Sequence, residues 1–118
     1  MYRSSIQTAV QEYKLGDEKK QTMNEYLASI APEVSSSFRA LRTSALAAGP
    51  LDHHVLELVV LTSFVTSGMK SAFVGHARRA LSNGLPKQNI QHAIIATLGA
   101  SLPMATVVEA LQWLDDCE

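Results

Sequence analysis

Gly68-Met69-Lys70-Ser71-Ala72-Phe73-Val74-Gly75-His76-Ala77-Arg78-Arg79-Ala80-Leu81-Ser82-Asn83-Gly84-Leu85-Pro86 reads as one helix held between two breaks. Phe73, His76, Ala77 and Ala80 or Leu81 recur three or four residues apart, the spacing that lines one face of an α-helix. The pattern predicts a helix over 69–83. Asn83-Gly84 tolerates the left-handed conformation in which helices end. Pro86 then suits the first turn of a new helix, where the amide hydrogen it lacks has no intrahelical partner.

The same period extends in both directions. Upstream, Asp52 is placed to cap a helix through its carboxylate. That helix is expected to bury Leu56, Val59, Val60, Ser63 and Phe64, to carry Glu57 inside its apolar run, and to end at Ser67-Gly68. Before it, Glu33 to Ala48 sets Val34, Phe38, Leu41 and Ala45 on one stripe, opened by Pro32 and stopped by Gly49-Pro50. Glu18 to Ile30 carries Met23, Leu27 and Ile30 at helical spacing, and Met1 to Lys14 reads as a short helix that breaks at Leu15-Gly16-Asp17. Downstream, Ile90, Ala93, Ile94, Thr97 and Leu98 form one face. A last helix from about Pro103 to Asp116 carries Val107, Val108, Leu111 and Leu114. No segment alternates as a half-buried strand does, and no low-complexity linker separates the pieces. The expected fold is all-α: one domain over residues 1–118, a bundle of about six or seven helices with an N-terminal helical segment over 1–32 and a core over 33–118.

Composition narrows the partners. The 118 residues are 47% hydrophobic, enough for one core, and only 18% charged. Ten Lys and Arg against eleven Asp and Glu give a net charge of -1 with no basic run, so nucleic acid is not the expected partner. The longest apolar run, Val55 to Val65, is interrupted by Glu57, Thr62 and Ser63 and falls short of the roughly 20 residues of a bilayer span, so no membrane partner is expected either. Met1 to Gln11 shows no secretory pattern, which makes a cytoplasmic setting the default expectation. Cys117 is the only cysteine, so this chain can build neither an internal disulfide nor a thiolate metal site.

Leu56-Glu57-Leu58-Val59 together with the 68–86 stretch resembles the central motif of the carboxymuconolactone decarboxylase and alkylhydroperoxidase D-like family, over roughly residues 35 to 115 and most specifically from His76 through Gly84. In the thiol-bearing branch the resemblance would place a Cys-x-x-Cys pair at Met69 and Ala72, ahead of His76 and after Glu57. The spacing survives and the sulfurs do not. Peroxide reduction there needs one thiolate to attack and a second thiol to resolve, so a thiol peroxidase is not expected. The decarboxylase branch, which lacks those thiols, is the nearer match around His76-Ala77-Arg78-Arg79-Ala80-Leu81-Ser82-Asn83-Gly84. It implies loss of carbon dioxide from a small carboxylated lactone without metal or organic cofactor, in a homo-oligomer, a trimer or a hexamer made from trimers. The low charged fraction, which leaves apolar helix faces uncovered, supports the same expectation. This chain departs from that branch in having an acid at Glu57, and Ser71 and Ala72 where acids precede the histidine.

The chemistry also follows from the residues. A Glu and a His on two consecutive packed helices make a proton relay, because burial raises a carboxyl pKa and a neighbouring carboxylate raises that of imidazole. His76 and Glu57 are therefore the candidate catalytic residues for a lyase or isomerase acting on a small enolisable acid, with Arg78 the candidate anchor for the substrate carboxylate. Each has a plainer reading. Glu57 can be a structural hydrogen-bonding partner, His76 a histidine satisfied by a neighbour, and Arg78 a solvated or intersubunit charge. The alternative function is thus a non-catalytic oligomeric binding or structural protein. His53 lies four residues before Glu57 and can pair with it, while His54 and His92 show no zinc-ligand spacing, so no metal is expected.

Overall fold

The computed structural model describes residues 14–15, 19–20 and 22–117. Among these are six helices: α1 (Met23–Ile30), α2 (Pro32–Leu46), α3 (His53–Thr66), α4 (Lys70–Ser82), α5 (Lys87–Ile95) and α6 (Met104–Asp115). The fold is all-α, with one short addition that the sequence pattern did not signal. Strands β1 (Lys14–Leu15) and β2 (Lys19–Lys20) pair antiparallel, Lys14 opposite Lys20. The expected helix over 1–14 lies almost wholly outside the described residues.

The chain divides into two compact units, Met1–Pro50 and Leu51–Glu118. In the first, α1 begins at Met23 and not at Glu18, because Thr22 ends the extended segment with a capping box. Its hydroxyl accepts from the Glu25 amide and the Glu25 carboxylate accepts from the Thr22 amide, both at 3.0 Å. Pro32 opens α2 one residue after α1, at the position where its missing amide hydrogen costs nothing. Ser35, fully buried, donates from its hydroxyl to the Asn24 carbonyl at 3.3 Å, tying α2 to the first turn of α1.

The second unit packs α4 and α5 each against both α3 and α6. Its core holds Leu61 and Val65 from α3, Phe73, Ala77 and Ala80 from α4, Ile90 and Ile94 from α5, and Val107, Ala110, Trp113 and Leu114 from α6. The Phe73 and Trp113 rings meet at 5.8 Å and a 58° tilt, within the range of favourable aromatic contacts.

Both turns that orient α4 are built by glycine. At the end of α3, the Gly68 amide donates to Val65 and the Met69 amide to Phe64. At the end of α4, the Gly84 amide donates to Leu81 and the Leu85 amide to Ala80. These are Schellman closures, which need a left-handed residue, and Gly68 and Gly84 have φ of +70° and +101°. Leu85 and Ala80 are both buried, the apolar contact that accompanies this closure.

Three expectations need correction. Asp52 is the N-cap of α3, but its side chain makes no capping hydrogen bond. The buried side of α3 is Leu61 and Val65, with Leu58 and Phe64 beside them, while Val59 and Ser63 face outward. In α5–α6, Leu98 and Val108 are exposed, and Ala110 and Trp113 take the buried places. α3 is apolar on nearly every side, so its period alone could not select the buried one.

Candidate active site

Glu57 lies one turn into α3, within hydrogen-bond reach of the residue four before it. Its Oε2 is 3.3 Å from His53 Nε2, the i,i+4 pairing that the helix geometry allows. The two side chains differ in exposure: His53 is 73% exposed and Glu57 19%. The other carboxylate oxygen, Oε1, is buried and has no hydrogen-bond partner among the described residues. Leaving a buried acceptor unsatisfied costs about 1–3 kcal/mol, and more for a charged group, so such an atom calls for an explanation.

His76 is partly buried on α4, with its ring against that of Phe64 at 4.9 Å and a 57° tilt. This contact sets the register between the two helices. Phe64 follows Glu57 by seven residues, so both lie on one face of α3 about two turns, or roughly 10 Å, apart, with buried Leu61 between them. Glu57 and His76 each have a neighbour of their own, His53 and Phe64, and these contacts stand about two turns apart along α3.

Arg78 turns elsewhere. It is exposed, and its Nη2 donates to the main-chain oxygen of Asp116 at 3.4 Å. Val74, one turn earlier on α4, meets the same end of α6, where the Cys117 thiol lies 3.9 Å from the Val74 carbonyl. Two residues on a helix are about 200° apart, so Arg78 is on the α6 side of α4 while His76 is on the α3 side.

Met69 is the N-cap of α4 and Ala72 lies in its first turn, so a thioether and a methyl stand at the start of that helix. Cys117 is half-buried, with its thiol donating to the Trp113 carbonyl at 3.4 Å. It is a packed side chain and not part of a loose end. Cys117→Ser is expected to leave any turnover within about twofold of wild type, since no second thiol exists to resolve an oxidised form; an assay before and after the change checks this.

A cleft of about 550 Å³ opens between α3 and α5, lined by Leu58, Gln88, Asn89, His92, Ala93 and Ala96. Helical periodicity does not single it out. The usable signal was the set of polar residues Gln88, Asn89 and His92 beside the small residues Ala93 and Ala96, which keep that side of α5 shallow. Among the described residues, no three His, Cys, Asp or Glu side chains converge in a group able to hold a metal ion, and no helix is long and apolar enough to cross a membrane.

The site thus defines a class: an all-α bundle with a carboxylate and an imidazole on consecutive helices, at the family spacing but without its thiol pair. The model of the carboxymuconolactone decarboxylase family matches residues 32–116, and the chain belongs to that family. Comparisons with curated proteins and with solved structures gave no match.

Proposed function

We propose that this protein is a cofactor-independent lyase or isomerase that acts on a small carboxylated lactone or a related enolisable acid by proton transfer, with Glu57 and His76 as its working groups. The observation that carries this reading is Glu57 Oε1, buried without a hydrogen-bond donor among the described residues while His53 holds the other oxygen. A carboxylate oxygen kept in that condition is costly to the fold and suited to accept a hydrogen bond from a donor on a bound molecule. Glu57 and Phe64, the residue against which His76 packs, stand about two turns apart on α3, so the two groups would address different ends of one small substrate. In decarboxylation, the electron pair of the broken carbon–carbon bond stays on the substrate as an enolate, carbon dioxide leaves, and His76 delivers the proton to carbon. Arg78, on the far side of α4, has no part in this unit within a single chain.

The test is a screen for carbon dioxide release or proton exchange over carboxylated lactones and small enolisable acids, followed by Glu57→Gln and Glu57→Met on any substrate found. Both are expected to lower turnover by about tenfold or more, less than the change expected at His76. Glu57→Met is also expected to raise the melting temperature, because it removes an unsatisfied buried oxygen. Full activity in Glu57→Gln would remove Glu57 from the mechanism.

The second reading, a non-catalytic binding protein on the same scaffold, draws support from the α3–α5 cleft, whose lining among the described residues includes neither Glu57 nor His76. Binding of a compound from the panel without turnover would favour it.

A further inference from the structure

One flank of α5 carries polar side chains with nothing to hold. Gln88, His92 and Ala96 stand four residues apart, as do Asn89 and Ala93, so the five lie one above another on a single flank. Ile90 and Ile94, on the other side of the helix, are fully buried in the core. Lys87 is engaged elsewhere, its ammonium 2.9 Å from the Asp115 carboxylate of α6. Among the described residues, the side chains of Gln88, Asn89 and His92 have no hydrogen-bond partner.

That flank forms one wall of the cleft of about 550 Å³, and Leu58 of α3, half-buried against the core, forms the other. All six lining residues belong to the second unit, so the cleft is built by that unit alone. The alanines at 93 and 96 create the hollow, since a longer side chain at either position would fill it. A merely solvated helix face has no need of one. The volume lies within the roughly 300–1,000 Å³ of small-molecule sites, which combine apolar walls with a few convergent polar groups as this cleft does. What the lining lacks then selects the ligand. It contains no Lys, Arg, Asp or Glu, so a charged molecule would give up hydration there with no opposite charge to replace it. The carboxamides of Gln88 and Asn89 each both donate and accept, and they match a molecule that does the same along one edge.

We propose that the α3–α5 cleft binds a small uncharged ring compound of the cyclic amide or imide class, with its polar edge on Gln88, Asn89 and His92 and one ring face against Leu58 and Ala93. Such a ring carries N–H and C=O groups side by side, so it pairs with a carboxamide through two parallel hydrogen bonds, while its flat apolar faces suit the small and aliphatic walls. This site is separate from the candidate catalytic pair. Glu57 precedes Leu58 by one residue and so lies about 100° round α3, on the side where Phe64 meets His76. The inference rests on the reading of the cleft as a binding site and holds whether or not Glu57 and His76 catalyse.

The test is a titration of the isotope-labelled full chain with uracil and thymine, and with orotate as a charged ring of similar size, followed through the side-chain amide signals of Gln88 and Asn89 in nuclear magnetic resonance spectra. Both neutral rings are expected to move these signals saturably, with dissociation constants of about 1 mM or tighter. Orotate is expected to bind about tenfold more weakly or worse, because its carboxylate finds no cation in the lining. Ala96→Leu, at an exposed position, fills the hollow and is expected to weaken binding by about tenfold or more. Asn89→Ala, which removes hydrogen bonds without adding bulk, is expected to weaken it by up to about tenfold, and it decides the matter if Ala96→Leu loses its helical circular dichroism. No saturable shift at Gln88 and Asn89 with either neutral ring overturns the proposal, as does orotate bound equally tightly or a folded Ala96→Leu that binds like wild type. Signals that move only outside α3 and α5 overturn this site while leaving a binding protein in place.

Discussion

Replacing His76 with glutamine is expected to lower turnover by about two to four orders of magnitude while α4 stays folded, the loss typical of a removed general acid or base. Glutamine keeps a similar length and can still donate a hydrogen bond, but it cannot exchange a proton near neutral pH. His76 is only partly buried, and its stack against Phe64 is worth about 0.5–1.5 kcal/mol at most, whereas Phe73, Ala77 and Ala80 on the inner face of α4 are untouched. A group that acts only in the transition state lowers kcat and kcat/KM together, so both must fall by similar factors. The measurement is steady-state kinetics on a substrate from the lactone and small-acid screen, with circular dichroism on the same samples. Full activity in the variant would take His76 out of the mechanism and leave its ring as a packing partner of Phe64.

The largest effect on stability is expected three residues earlier. Phe73 has no exposed surface and lies at the centre of the second unit, where α4 meets α6 through the Trp113 ring. Phe73→Ala removes the ring's transfer free energy and leaves a cavity that the surrounding helices can close only in part, a loss of about 3–5 kcal/mol. Against the roughly 5–15 kcal/mol that holds an ordinary domain together, this is enough to bring the unit close to unfolding. Urea unfolding followed by Trp113 fluorescence gives the difference. The midpoint should fall sharply with an unchanged slope, while Met104→Ala, at a position 67% exposed, should move it by no more than about 0.5 kcal/mol. A shift below about 1 kcal/mol for Phe73→Ala would mean that the core is not packed as described.

Local signals in the sequence were strong enough to place most of the architecture and one contact of the candidate site. Pro32, Gly68, Gly84 and Pro86 mark helix ends because each acts through its own backbone: the prolines by a missing donor, the glycines by positive φ. The His53–Glu57 contact was legible for the same reason, since residues four apart on a helix are neighbours whatever the rest of the chain does. The absence of the thiol pair was likewise plain from Met69 and Ala72. Where the reading of α1 failed, the missing piece was also local: Thr22 and Glu25 spell a capping box, and it starts the helix later than the apolar spacing alone suggests.

What only the tertiary structure decided is which side of each helix is covered, and by what. α3 is apolar almost all the way round, so burial of Leu61 and Val65 in preference to Val59 follows from where α4, α5 and α6 lie against it and not from its own period. The contact of His76 with Phe64, the turn of Arg78 toward Asp116 and the cleft beside Leu58 and His92 are of the same kind. Helix formation and termination are governed within a turn or two of chain, so the sequence by itself determined where the helices run and which chemistry they carry. Burial is a property of residues distant in sequence, and its sign at each position is set only when the helices pack.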